Sequence, residues 1–202
     1  MSEISSGMAR PTKLHTMRLR RLDRYLLKYS TEIWEFSLQD TPIEVVVYTD
    51  SDRATHKMTR RSMSDSYEKF GEHLLIDSNC ARQSVVALSS GEAEYYSMTR
   101  GGATGLMSKQ IWEGLGFGNL PLVLDIDSTA AKGVASRAGV GKLKHVAIKE
   151  FWLKDRVRSG KIRIRKVGTE KHWADIGTKS LSGQRIGELL RMFATLHDYG
   201  KG

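Results

Sequence analysis

Two runs, IEVVVYTD (43–50) and PLVLDID (121–127), constrain this chain most. Each reads as a strand that is apolar almost throughout and stops at an aspartate. Strands of that kind are buried, so helices must cover the sheet that they build. QSVVALSS (83–90) reads as another strand, running directly into a helix from Gly91 to about Leu115. Ser89 and Glu92 have the Ser-x-x-Glu spacing of a capping box and mark where that helix starts. Gly101, Gly102 and Gly105 lie inside it, each costing up to about 1 kcal/mol relative to alanine. They either allow close packing on a sheet or mark a break. STAAKGVAS (128–136) carries a short helix signal, residues 144–158 have helical periodicity, and KIRIRKV (161–167) alternates like a half-buried strand. A last helix is expected from Gln184 to about Leu196. Strands and helices thus interleave from residue 43 onward, which favours an α/β class with a mixed sheet.

Upstream, Pro11 to about Tyr29 reads as a basic helix, with Pro11 suited to its first turn and Lys13, Arg18, Arg20, Arg21, Arg24 and Lys28 on one face. That face either is solvated or contacts phosphates. Residues 30–43 read as an irregular connection. Residues 53–82 are polar, with one or two strands around HLLI. The 202 residues carry 32 Lys+Arg against 23 Asp+Glu, a net +9 that favours a polyanionic partner. The single cysteine, Cys80, allows neither an internal disulfide nor a multi-thiolate zinc site and reads as a passive small apolar residue. No run is long and apolar enough for a membrane span, and the opening MSEISSGMARPTK lacks a secretory h-region. The expectation is an intracellular protein, cytoplasmic or nuclear, with no membrane partner.

Four carboxylates sit where a strand stops or a helix starts: Asp50, Glu94, Asp127 and Asp175. Each has a local explanation. Asp50 or Asp52 suits a turn, Asp127 suits the cap of the helix at Ser128, and Glu94 and Asp175 suit helix N-termini. Brought to one point they would repel unless cations neutralised them. Two Mg²⁺ ions about 3.5–4 Å apart would do so, clamping the attacking and leaving oxygens of a phosphodiester.

The strings VYTDSD, ALSSGEAEYYS, DIDSTAAK, LKHVAIKEFWLKD and TEKHWADIGTKSL, in that order over residues 43–181, resemble the ribonuclease H domain of copia-type LTR retrotransposon Pol polyproteins. MARPTKLHTMRLRRLDRYLL resembles the segment joining reverse transcriptase to that domain. The resemblance implies a connection segment at 1–42, a ribonuclease H-like domain at 43–183 and a C-terminal helix and tail at 184–202. The implied fold is a five-stranded mixed sheet flanked by helices. The implied activity is metal-dependent cleavage of the RNA strand of an RNA–DNA hybrid, with two Mg²⁺ ions (Mn²⁺ as substitute) held by Asp50, Glu94, Asp127 and Asp175. A reverse transcriptase domain or larger assembly is an implied partner.

Lys142, Lys144 and His145 in the KLKH loop, with Arg163 and Arg165 in the basic run, are candidate nucleic-acid contacts. His172 is either a mobile auxiliary group or a surface histidine. Trp112, Trp152 and Trp173 read as core. Several positions depart from the family pattern. Arg53 and Thr55 stand for a tryptophan and a glycine, Asp65 for a glycine, and Ala147 and Phe151 for an aspartate and a histidine. These departures leave open an inactive domain that serves as a nucleic-acid-binding or structural subunit.

Overall fold

The computed structural model describes residues 4, 7–29, 32–54, 59–72, 74–136, 151–192 and 194–198. The chain divides into two units, Met1–Ser37 with Ala194–Gly202, and Leu38–Phe193.

In the first unit, helix α1 spans Lys13–Lys28. Thr12 is its N-cap: its hydroxyl accepts from the His15 N–H, and its own N–H donates to His15 Nδ1 at 3.1 Å. Pro11 therefore precedes the cap instead of sitting in the first turn. Strand β1 (Glu32–Glu35) pairs antiparallel with β7 (Thr195–Asp198). This corrects two expectations, the irregular connection at 30–43 and the helix running to about Leu196. Four-residue strands are too short to show a period, and their partners lie at opposite ends of the chain.

The second unit holds β2 (Val45–Asp52), β3 (Met63–Phe70), β4 (Leu74–Arg82), α2 (Ser90–Gly114) and β5 (Leu122–Ile126). Then follow α3 (Thr129–Ser136), α4 (Trp152–Arg158), β6 (Ile162–Lys166), α5 (Asp175–Thr178) and α6 (Gly183–Leu190). The sheet order is β4-β3-β2-β5-β6. β2, β3 and β4 are antiparallel, while β5 runs parallel to β2 and β6 parallel to β5. This is the five-stranded mixed sheet of the ribonuclease H-like α/β fold that the resemblance implies.

The glycines of α2 allow close packing, and the helix is unbroken across them. A Cβ on Gly105 would lie 2.7 Å from Leu122 Cδ1 and 2.8 Å from Val47 Cγ2, and one on Gly101 would overlap Thr49 Cγ2. The helix thus sits directly on β2 and β5 over a core that includes Val45, Val47, Tyr95, Met98, Leu122 and Leu124. The three tryptophans pack as expected. Trp112 stacks on Phe70 at 3.9 Å, Trp173 stacks on Tyr48 at 4.6 Å, and Trp152 packs against the core.

Two strand expectations are corrected. QSVVALSS is a connection, with Val85 and Val86 44% and 45% exposed. Its first residue is held by a backbone bond to the Ser62 carbonyl at 2.8 Å and by its side chain, Gln83 Nε2 donating to Ser64 Oγ and the Ala93 carbonyl. Conversely, the polar stretch MSDSYEKF is β3, burying Ser64, Asp65 and Glu68. Apolar content misleads in both places because pairing partners decide strand formation. Cys80 is exposed and donates its thiol to the Gly177 carbonyl, so it is not a packed apolar residue.

Candidate active site

Asp50 stands near the end of β2, 2% exposed, opposite Asp65 of β3. Its backbone is tied to α2, because Ser97 Oγ donates to the Asp50 carbonyl at 2.7 Å. The Thr178 hydroxyl donates to Asp50 Oδ2, joining β2 to α5. Asp127 follows the last residue of β5. Ser128, not Asp127, caps α3 by accepting from the Ala131 N–H at 3.2 Å. Asp175 opens α5 and is 3% exposed.

His172 is fully buried, which corrects the surface expectation. Its ring meets Tyr48 edge-on at 6.1 Å, and Nε2 lies 3.4 Å from the Asp125 carbonyl. Nδ1 is 3.6 Å from Asp175 Oδ1, beyond hydrogen-bond distance. Asp50, Asp127, His172 and Asp175 each offer a ligand atom within 4.8 Å of the others. Glu94, one turn into α2, is not one of these four, though it feels the charges of Asp50 and Asp127.

Burial pushes the Glu94 carboxyl up to about 8, and the neighbouring Asp50 and Asp127 charges add to the rise. Burial also raises Asp50, against the pull of Thr178 and Lys179. Burial pushes Asp175 up too, but His172 and Lys179 outweigh it and hold the group below its ordinary value. His172 is pulled down by burial, yet the nearby Asp175 carboxylate and the charges of Asp50 and Asp127 raise it overall.

Lys179, the C-cap of α5, pairs with Asp175 and stands 3.7 Å from both Asp50 Oδ2 and Asp127 Oδ2. Sequence reasoning did not single it out. The i,i+4 spacing from Asp175 within ADIGTK was the signal available.

The donor set fits a hard divalent cation: carboxylate oxygens and one imidazole in a buried negative excess. Two buried atoms, Glu94 Oε2 and His172 Nδ1, have no hydrogen-bond partner among the described residues. Such atoms are costly unless something pairs with them.

The other named positions lie elsewhere. Arg165 forks onto Asp125 (Nε–Oδ1 2.7 Å, Nη2–Oδ2 2.9 Å) and reaches Glu44 at 3.0 Å. Its guanidinium is committed to those acids, while Arg163 is exposed on the edge strand β6. Lys142, Lys144 and His145 lie outside the described residues. Asp65 accepts from the Gly177 N–H at 3.1 Å, and burial pushes its carboxyl up to about 7. It thus braces the turn of α5 that follows Asp175.

No family model matches the chain. The chain is 25% identical over 195 residues to a retrovirus-related Pol polyprotein from transposon TNT 1-94 of Nicotiana tabacum, covering 96% of this chain and 14% of that protein. It is 28% identical over 184 residues to the Pol polyprotein from transposon RE1 of Arabidopsis thaliana, covering 90% of this chain and 12% of that protein. It therefore resembles one region of copia-type Pol polyproteins and spans 12–14% of their length.

Among solved structures, ribonuclease H1 of Halobacterium salinarum aligns at TM-score 0.43 and 13% identity, covering 65% of this chain and 90% of that one. LC11 ribonuclease H1 in complex with an RNA/DNA hybrid aligns at 0.44 and 16%, covering 64% and 88%. Prototype foamy virus protease-reverse transcriptase aligns at 0.41 and 10%, covering 79% of this chain and 21% of that one.

Proposed function

We propose that the Leu38–Phe193 unit is the ribonuclease H of a copia-type Pol polyprotein and cleaves the RNA strand of RNA–DNA hybrids with Mg²⁺. The observation that carries this reading is the convergence of Asp50, Asp127, His172 and Asp175 within 4.8 Å, with Glu94 feeling the charges of Asp50 and Asp127. The 25–28% identity to retrotransposon Pol polyproteins over 90–96% of the chain supports it.

Asp50, Asp127, Asp175 and Glu94 would hold two Mg²⁺ ions, with Mn²⁺ as substitute. Bound there, the ions supply Lewis-acid charge at the phosphodiester and a water acidic enough to ionise near neutral pH. The chain's own residues fix the donors. Thr178 orients Asp50, Ser97 holds the Asp50 backbone on α2, and Asp65 braces α5 under Asp175. Without added positive charge, Glu94 keeps its proton to about pH 8, so cation binding there releases it. RNA would be selected through its 2′-hydroxyls across the wide minor groove of the hybrid, without sequence readout. The net charge of +9 favours the phosphate backbone. A reverse transcriptase domain elsewhere in the polyprotein would present the hybrid.

The test is cleavage of a labelled RNA–DNA hybrid by the purified chain with Mg²⁺, with EDTA, and with Asp127→Asn. The expected result is metal-dependent cutting of the RNA strand alone, lost in the variant. A folded chain that binds hybrid but cuts nothing with Mg²⁺ or Mn²⁺ would replace this reading with that of a binding or structural subunit.

A further inference from the structure

We propose that Lys179 is a built-in counter-cation of the carboxylate cluster, which a divalent ion must displace, and that it thereby sets the affinity of the site for metal. The inference rests on reading the cluster as a metal centre. One ammonium stands among all three aspartates of the cluster: paired with Asp175 and 3.7 Å from an oxygen of Asp50 and of Asp127. Those residues supply the same carboxylates that a cation would use. At such separations a divalent ion and an ammonium repel strongly, so both cannot hold the cluster.

The lysine is built to leave. Its backbone is fixed at the end of α5, where its N–H donates to the Asp175 carbonyl at 2.9 Å. Its side chain is 39% exposed at the rim of Asp50 and Asp175, which are almost wholly buried, and beside the partly exposed Asp127. A compact ammonium on a four-carbon stem can swing to water without moving the helix, which a forked guanidinium cannot do as readily. While it stays, it relieves the mutual repulsion of the aspartates, and when it leaves, a cation takes over that role. The motif WADIGTK therefore carries a metal ligand and the competitor for that ligand's site four residues apart.

The experiment is calorimetric titration of the full chain with Mg²⁺ alone, alongside melting temperatures in EDTA. Lys179→Met and Lys179→Gln should each bind Mg²⁺ about tenfold or more tightly, because one competing charge at contact range is removed. Both should melt below wild type in EDTA. Lys179→Arg, which keeps the charge on a group that leaves less readily, should bind Mg²⁺ no more tightly than wild type. Lys109→Met, which removes a charge about 22 Å along α2 from Glu94, should change affinity less than about twofold. Unchanged or weaker Mg²⁺ binding in Lys179→Met or Lys179→Gln overturns the proposal, as would equal tightening in Lys179→Arg or Lys109→Met. Wild-type chain without Mg²⁺ binding that Asp127→Asn weakens would overturn the metal centre itself, and this inference with it.

Discussion

Two cations meet buried acids in the sheet unit, and they do so differently. Arg165 closes on Asp125 with two bonds at 2.7 and 2.9 Å and reaches Glu44 with a third nitrogen. Asp125 and Arg165 are register partners on β5 and β6, so the fork fastens the edge strand to the sheet. Asp127, two residues further on, meets Lys179, whose single ammonium is shared with Asp50 and Asp175. The first arrangement matches a planar fork to a carboxylate and is complete. The second shares one lysine among three aspartates, an arrangement that the proposed divalent cation would complete. Glu68 shows a third solution. It is 2% exposed on β3, and burial pushes its carboxyl up to about 7, so protonation removes the charge.

The comparison breaks most visibly at the open cluster. Asp50→Asn should lower hybrid cleavage by about a thousandfold while the melting curve moves little, because charge aimed at the reaction is lost and packing is kept. Hybrid cleavage within about tenfold of wild type would remove Asp50 from the site.

The next effect is on stability against pH. The native Glu68 carboxyl, near 7, binds its proton more tightly than the unfolded one near 4.5. Its contribution is therefore fully present below about 4.5 and is lost as pH rises through 7, by up to about 3 kcal/mol. Denaturant melts of Glu68→Gln between pH 4.5 and 8 should show a flatter profile than wild type, and an unchanged slope would remove Glu68 from this role.

Arg165→Met should cost about 2 kcal/mol by stranding Asp125, discounted because the arginine is half exposed. Added Mg²⁺ should not restore that loss, whereas it should restore the loss in Lys179→Met. Recovery of Arg165→Met by Mg²⁺ would erase the distinction between the closed pair and the open cluster.

Last, Gly101→Ala would push α2 off Thr49, beside Asp50, at about 1–2 kcal/mol. A parallel fall in Mg²⁺ affinity would show that helix seating holds Glu94 in reach of the aspartates.

The four acids each follow a local signal, but those signals equally suit turns and caps, and the resemblance to the Pol motifs is what grouped them. Asp50 and Asp127 end apolar runs, Glu94 follows the Ser89 cap, and Asp175 opens a helical turn. Much of the strand pattern was not legible in the sequence. MSDSYEKF is polar because β3 buries acids and hydroxyls rather than a greasy stripe, and the apolar Val85 and Val86 face solvent. His172 packs against Tyr48, more than a hundred residues earlier in the chain, and no local spacing reports that contact.

The sequence by itself determined the α/β class, the long helix with its Ser89 start, and the placing of Asp50 and Asp127 at strand ends, because periodicity, caps and strand ends are local properties of neighbouring residues. The tertiary structure alone decided which charges meet. Asp125 and Asp127 are two residues apart on one strand end, yet Arg165 closes the first and Lys179 shares the second with Asp50 and Asp175. That choice depends on strand register and on where α5 docks, and Coulomb interactions act through space rather than along the chain.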